Sequence, residues 1–339
     1  MSRISFRWRA AALALAGALA LSGCAAGTPA TGASDTNSGG AVTFTHMYGQ
    51  TTIDHRPERV ATWGWGSADA VLALGVMPVA IPADTYGAPD TGVTPWMQAA
   101  IDKVGGTPPT ILKSTSDELP IEQLLATDPD VLIAPYSGLT QDEYDKVTAA
   151  GVPVVAPAKA TWSTPWREVI TDTGKALGLD SQATTLIDDL NGQVAAAAAA
   201  HPEFAGTTIA FASDTIDTFY LYLPADARVE LLEDLGFTSA PSVTALDNGS
   251  ATFYTTVSAE NLDRIDADVI FVYAADDAAL NTFLTSARTT AIPAVKKGAV
   301  ASIVGNVDSD AVSPTALTLP YILPTLVDQL AQATAKAKA

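Results

Sequence analysis

The chain has 339 residues, 48% of them hydrophobic and only 16% charged, with 18 lysines and arginines against 37 aspartates and glutamates. A formal charge of −19 leaves no basic patch to neutralise phosphates, so nucleic acid is a poor partner. One cysteine, Cys24, rules out an internal disulfide, and stability must come from buried apolar surface, which a chain this long can supply.

Arg3, Arg7 and Arg9 lead into an apolar run over residues 10–21. Twelve residues are too few to cross a bilayer, which takes about 20. Positive charge, a short apolar stretch and small residues before a cut mark residues 1–23 as an export signal. Leu21-Ser22-Gly23-Cys24 resembles the bacterial lipobox, in which the cysteine is acylated and becomes the new N-terminus. The plainer alternative is a secretory signal cut at a nearby alanine. Cleavage before Cys24 removes the three arginines and moves the formal charge to −22. Residues 24–41, rich in Gly, Ser, Thr and Ala, read as a flexible tether. The chain is therefore expected outside the cytoplasm, held to the cell membrane by lipid on Cys24.

From residue 42 strands and helices alternate. Residues 42–54 read as a hairpin turning near Tyr48-Gly49. Residues 59–63 and 78–82 read as short buried strands around a helix over 67–74, which Gly75 stops where a left-handed residue is wanted. Residues 131–134 and 152–156 repeat the theme around a helix over 141–150. This alternation predicts largely parallel sheets covered on both faces. Residues 165–177 and 181–200 read as connecting helices, the second with Ser181 as N-cap and a length of about 30 Å, enough for a strut. Residues 269–272 read as a strand and 314–335 as a last helix.

The chain also repeats itself. Glu122-Gln-Leu-Leu-Ala-Thr-Asp128-Pro-Asp130-Val-Leu-Ile returns 138 residues later as Glu260-Asn-Leu-Asp-Arg-Ile-Asp266-Ala-Asp268-Val-Ile-Phe. Val71-Leu-Ala-Leu-Gly75-Val has a partner in Leu232-Glu-Asp-Leu-Gly236-Phe. Two matched pairs in the same order predict an α/β fold of two Rossmann-like lobes, residues 42–162 and 204–335. Connecting helices over 163–203, with a single long backbone helix, would join them around a ligand cleft.

A ligand held between two such lobes touches loops at the carboxyl ends of strands. Several of these loops are aromatic: Trp63 and Trp65 follow the first strand, Tyr86 the second, Tyr136 the third, and Trp162 lies beyond residue 156. In the second lobe Tyr220 and Tyr254 fall in stretches that read as irregular, and Tyr273 ends a strand. Flat rings with a polar edge suit a ligand presenting both hydrocarbon and oxygen. Core or rim packing remains the alternative for each. Arg288 is expected to be the second-lobe arginine entering the cleft, with Lys113 and Lys159 as first-lobe candidates.

Direct metal binding needs histidines and carboxylates gathered in one cleft. His46, His55 and His201 lie at the hairpin and the strut end instead. Gly64-Trp-Gly66-Ser-Ala-Asp69, with Asp84 further on, mimics a dinucleotide fingerprint. Asp69 stands where the third glycine belongs and Trp65 crowds the pyrophosphate, so an exported Rossmann-type enzyme is a remote alternative. No nucleophile elbow or metalloprotease helix is present either.

Pro57-Glu-Arg-Val-Ala-Thr-Trp-Gly-Trp-Gly66, residues 71–80, Gly105-Gly106, residues 120–138, Pro165-Trp166-Arg-Glu-Val with Leu177-Gly178, and Ile292-Pro-Ala-Val-Lys-Lys-Gly298 recur in order. With these the chain resembles, over nearly its whole mature length, the helical-backbone substrate-binding lipoproteins of bacterial ABC importers. Ala134-Pro-Tyr-Ser137-Gly-Leu139 looks most like the iron–siderophore branch, which adds Ser137 to the ligand candidates and favours Tyr136. The resemblance implies a binding protein, not an enzyme, without a cofactor or resident metal. It would capture a ferric siderophore and deliver it to a permease dimer with a cytoplasmic ATPase; haem or cobalamin is the alternative cargo. A triscatecholate carries about three negative charges and calls for an arginine cluster, so a neutral or cationic hydroxamate chelate fits better. Glu122 and Glu260 match the glutamates that meet permease arginines in the family; capping of first helical turns is the structural alternative. A monomer with modest lobe closure about the stiff strut is expected.

Overall fold

The computed structural model describes residues 40–114, 118–215, 218–249 and 251–339. The export signal, Cys24 and all of the tether up to residue 39 lie outside the described residues. The chain opens with a hairpin of β1 (Val42–His46) and β2 (Gly49–Ile53). There follow β3 (Val60–Thr62), α1 (Ser67–Ala73), β4 (Ala80–Pro82), α2 (Pro95–Val104), β5 (Thr110–Leu112), α3 (Ile121–Leu125), β6 (Val131–Ile133), α4 (Gln141–Ala149) and β7 (Val154–Val155). These strands form an all-parallel sheet in the order β5-β4-β3-β6-β7.

Helices α5 (Trp166–Leu177) and α6 (Asp180–Ala200) then lead to the second lobe. At 21 residues α6 is about 31 Å long. Its N-cap is Leu179 with no side-chain cap, so Ser181 lies inside the helix and the expected cap is corrected. Leu179 N–H instead closes onto Gly174 O at 2.7 Å, and Ala183 packs where a Cβ on Gly174 would stand. This α5–α6 corner is tight enough to replace a capping side chain.

The second lobe comprises β8 (Thr208–Asp214), β9 (Phe219–Tyr222), α7 (Ala227–Asp234), β10 (Thr238–Ser239), α8 (Pro241–Ala245), β11 (Tyr254–Val257), β12 (Val269–Ala274), α9 (Asp277–Thr285), α10 (Pro293–Lys297), β13 (Val300–Val304), α11 (Asn306–Ala311) and α12 (Thr318–Ala337). Its sheet runs β11-β9-β8-β12-β13, with β10 also on β8. Strands β8, β10, β12 and β13 pair in parallel, whereas β9 and β11 are antiparallel. The second sheet is therefore mixed, and Tyr220 and Tyr254 sit in strands rather than irregular segments. Their cross-strand contact, 5.5 Å between ring centroids, is the kind of pairing that stabilises a hairpin.

The internal duplication has a physical basis. Asp130 Oδ2 accepts from the backbone N–H groups of Glu58 and Arg59, at 2.7 and 3.0 Å, pinning the start of β3 to that of β6. Asp268 Oδ2 accepts from Thr208 N and Oγ1, at 2.9 and 2.7 Å, and does the same for β8 and β12. Those bonds hold the Asp268 carboxyl below its ordinary range. Helices α1 and α7 end alike: Gly75 N–H bonds Leu72 O and Val76 N–H bonds Val71 O, while Gly236 and Phe237 bond Glu233 and Leu232. Both glycines have positive φ, 79° and 106°, as such a helix end requires.

One apolar core runs through α1, α2, α5 and α6 into β8, β12, β13 and α12, with Trp166, Ile170, Leu190, Phe211 and Leu326 in it. Outside it Arg167 on α5 reaches Glu230 and Asp234 on α7 at 2.8 and 2.6 Å, and Asn191 on α6 at 2.8 Å. Buried apolar packing and this ionic clasp together brace the lobes.

Candidate functional site

Three loops at the carboxyl edge of the first sheet are knitted together. Gly64 after β3 has φ of 79°, and a Cβ there would fall 2.5 Å from the Ser137 Cβ. Only glycine allows that approach, which lets Trp65 N–H donate to Tyr136 O at 2.9 Å. Trp162 N–H donates to Ser137 O at 3.2 Å, and a Cβ on Gly138 would meet the Trp162 indole at 2.8 Å. Trp162 has φ of 56°, a strained conformation for a non-glycine residue that persists only when its surroundings enforce it. Tyr136 and Trp162 meet edge-to-face at 5.6 Å. Trp65, Tyr136 and Trp162 thus form one aromatic wall.

The facing wall belongs to the second lobe. Asp226 caps α7 by accepting from Arg228 N–H at 2.8 Å, and the same carboxylate takes Arg228 Nε and Nη2 at 2.8 and 2.6 Å. The guanidinium lies over Tyr222, 4.0 Å from the ring centroid, and Tyr222 Oη is 2.6 Å from Tyr273 Oη. Burial works against the Arg228 charge, but the Asp226 bonds and charge more than offset it, so its pKa is raised. Tyr136 is pushed up first by burial and then by the Asp226 charge, with Arg228 opposing. Between the walls lies a cavity of about 290 Å³, closed by Trp166, Phe253 and residues 313–316. The indole N–H groups of Trp65 and Trp166 are buried and have no partner among the described residues. Both side chains line this cavity together with Arg228, whose guanidinium is an N–H donor for oxygen atoms of a ligand.

A second compartment of about 460 Å³ adjoins it across Trp65, Gly66 and Trp162. It is lined by Trp63, Asp69, Asp84, Tyr86, Thr94 and Trp96 among others. Thr315 from the other lobe donates to Asp69 Oδ1 at 2.8 Å, and burial pushes the Asp69 carboxyl up to about 6. Asp310 on α11 is pushed up to about 9, first by burial and then by the charges of Asp84 and Asp69 and a bond with Asp84. Among the described residues no three His, Cys, Asp or Glu side chains converge to hold a metal ion.

Of the residues singled out from sequence, Trp65, Tyr136 and Trp162 line the first compartment, and Trp63 and Tyr86 line the second. Tyr273 lines neither compartment, and its hydroxyl is 2.6 Å from that of Tyr222. Tyr220 and Tyr254 line neither compartment. Ser137 does not face the cleft: it is fully buried, and its hydroxyl donates to Ala134 O at 2.8 Å. Arg288 is not the cleft arginine, because it pairs with Asp214 at 2.7 Å and lines neither compartment. Lys113 and Lys159 are exposed and line neither. Glu122 and Glu260 are exposed in first turns of α3 and of a 3₁₀ segment over Ala259–Arg264. The Glu260 carboxyl is held below its ordinary range by its own N–H and the Ser258 hydroxyl.

Arg228 was the residue to find, and the repeat carries its signal. The offset of 161 that aligns Gly75 with Gly236 sets Asp226 opposite Trp65 and Arg228 opposite Ser67, in the equivalent loop of the second lobe. Thr315, remote in sequence from the Asp69 that it bonds, has no such signal.

The profile of the periplasmic binding protein family matches residues 60–306, from β3 through β13 into α11. The chain belongs to that family. Periplasmic binding proteins are extracytoplasmic binding proteins rather than enzymes. Among solved structures, PiaA of Streptococcus pneumoniae TIGR4 in complex with ferrichrome is 32% identical, with a TM-score of 0.80 over 87% of this chain and 99% of that one. A periplasmic solute binding protein from Mycobacterium smegmatis str. MC2 155 is 24% identical, with a TM-score of 0.73 over 87% and 99%. SirA of Staphylococcus aureus, complexed with staphyloferrin B, is 21% identical, with a TM-score of 0.65 over 86% and 98%. The last two carry the fold alone. No curated protein sequence matches.

Proposed function

We propose that this periplasmic binding protein captures a ferric siderophore of the hydroxamate type and hands it to an ABC importer permease. The observation that carries the reading is the first compartment, where the ring wall of Trp65, Tyr136 and Trp162 faces Arg228. Such a chelate presents hydrocarbon to rings and oxygen to N–H donors, and its iron needs no ligand from the protein. Arg228 is neutralised by Asp226, so the site lacks the excess positive charge a triscatecholate would call for. Ferrichrome, bound by the relative PiaA, is itself a hydroxamate chelate. The test is to titrate the chain lacking residues 1–23 with ferrichrome, ferric enterobactin, haem and cobalamin, following tryptophan emission. Ferrichrome should quench at the lowest concentration; enterobactin or haem binding more tightly would overturn the reading.

Delivery would use lipid on Cys24 as the membrane anchor, with the protein acting as a monomer. Glu122 and Glu260, exposed and matched in the duplicated unit, would meet a permease built from two copies. Replacing both with alanine is expected to abolish uptake of labelled ferrichrome by cells while the affinity of the isolated protein stays unchanged. Retained uptake would reduce both residues to capping.

A further inference from the structure

We propose that the second compartment binds a protonated amine carried by the chelate, so that this protein selects cationic hydroxamate chelates over neutral ones. The inference rests on the siderophore reading above and narrows its ligand class. The two compartments have opposite hydrogen-bonding character. The first offers donors; the second offers the carboxylates of Asp69 and Asp84 and the hydroxyl of Thr94.

Asp69 is 5% exposed, and its partners are neutral: Thr315 Oγ1 at 2.8 Å and the Trp96 indole. Asp84 is fixed at the compartment wall by accepting from the N–H groups of Tyr86 and Gly87 at 2.9 and 2.7 Å. Among the described residues no lysine, arginine or histidine lines the compartment, and none pairs with Asp69, Asp84 or Asp310. Burying the Asp69 carboxylate without a counter-charge is costly, and a ligand cation placed there relieves the cost. An independent mark of a missing partner is Thr94, which lines the same compartment, is 1% exposed, and has no hydrogen-bond partner for Oγ1. An ammonium group has three donors and no acceptor, which matches two carboxylates and one hydroxyl.

The elements around Asp69 present Asp84 from the loop after β4, Asp310 from α11, Trp96 from α2 and Thr315 from the turn before α12. Asp310, pushed up to about 9, is protonated at neutral pH and adds no repulsion of its own. Asp69, pushed up to about 6, is mostly charged at neutral pH. Since the amine binds the ionised form, its advantage is present above that pH and fades as the pH falls through it.

The test compares ferric desferrioxamine B, a linear trihydroxamate ending in an ammonium group, with its N-acetylated form, which keeps the same iron-binding core. The amine form is expected to bind the mature chain about tenfold more tightly or better near neutral pH. That advantage should shrink at about pH 5 as Asp69 takes up its proton. Asp69→Asn and Asp84→Asn should each remove most of the advantage, measured in each variant as the ratio of affinities for the amine and acetylated chelates, with a denaturant melt reporting folding. Equal affinity of the wild type for the two chelates overturns the proposal. Failure of both chelates to bind while ferrichrome binds overturns this inference alone, and failure of all three overturns the siderophore reading with it.

Discussion

Arg228→Ala should weaken binding of a ferric hydroxamate chelate by about 100-fold or more, among the largest effects a single cleft substitution can have. The guanidinium is held as a fork on Asp226 and stacked on Tyr222, so it meets ligand oxygens without first losing rotamer freedom. Removing it also strands Asp226, which is 5% exposed, and breaking a buried ion pair costs about 3–5 kcal/mol of stability. Two readouts follow: a titration for affinity and a denaturant melt for stability. Arg228→Lys separates them, since it keeps a charge near Asp226 but loses the planar fork. It should recover much of the stability and little of the affinity. Affinity within about threefold of wild type in Arg228→Ala would remove this residue from the binding account.

Trp65→Ala is expected to have a comparable effect on affinity with little change in stability. Trp65 is half-buried, its ring separates and borders both compartments, and its backbone bond to Tyr136 O survives the substitution. A tryptophan at the centre of a site commonly contributes about 2–4 kcal/mol to binding. Trp65→Phe keeps a ring and deletes the unpartnered indole N–H, so an intermediate affinity would divide the effect between stacking and hydrogen bonding. Calorimetric titration of the three forms checks this. A Trp65→Ala variant that binds as wild type does would mean that the ring wall is only packing.

The fold is legible in the sequence where local chemistry and core packing agree. The hairpin turn at Tyr48-Gly49, the glycine after α1, and the aspartates that precede β6 and β12 each have one structural job, and their spacing discloses it. The antiparallel strands β9 and β11 are harder to read, because Phe219–Tyr222 and Tyr254–Val257 are only four residues each, too short for alternation to declare itself. Strand β5 and helix α2 pass unnoticed for related reasons: the strand has three residues at a sheet edge, and the helix is announced mainly by Pro95 at its start.

For the site, the first-lobe rings are recoverable because each sits in a loop after a parallel strand. The second-lobe wall is not, because reading charge by position in the chain favours Arg288 over Arg228. The deciding fact is which arginine is already spent. Arg288 is paired with Asp214 away from the cavities, while Arg228 lines the first compartment with Nη1 left without a partner among the described residues. Partnership of that kind is a tertiary property. Ser137 fails for the opposite reason: its neighbour Tyr136 lines the cleft, but its own hydroxyl is turned inward to hold the loop that positions Tyr136.

A crystal structure of the complex with ferrichrome tests the central claim most directly, namely that the cargo is a whole chelate held by rings and N–H donors. The iron should lie between the Trp65–Tyr136–Trp162 wall and Arg228, surrounded only by chelate oxygens. An iron bonded to a tyrosine or carboxylate of the protein, or a chelate seated outside the two compartments, would contradict it.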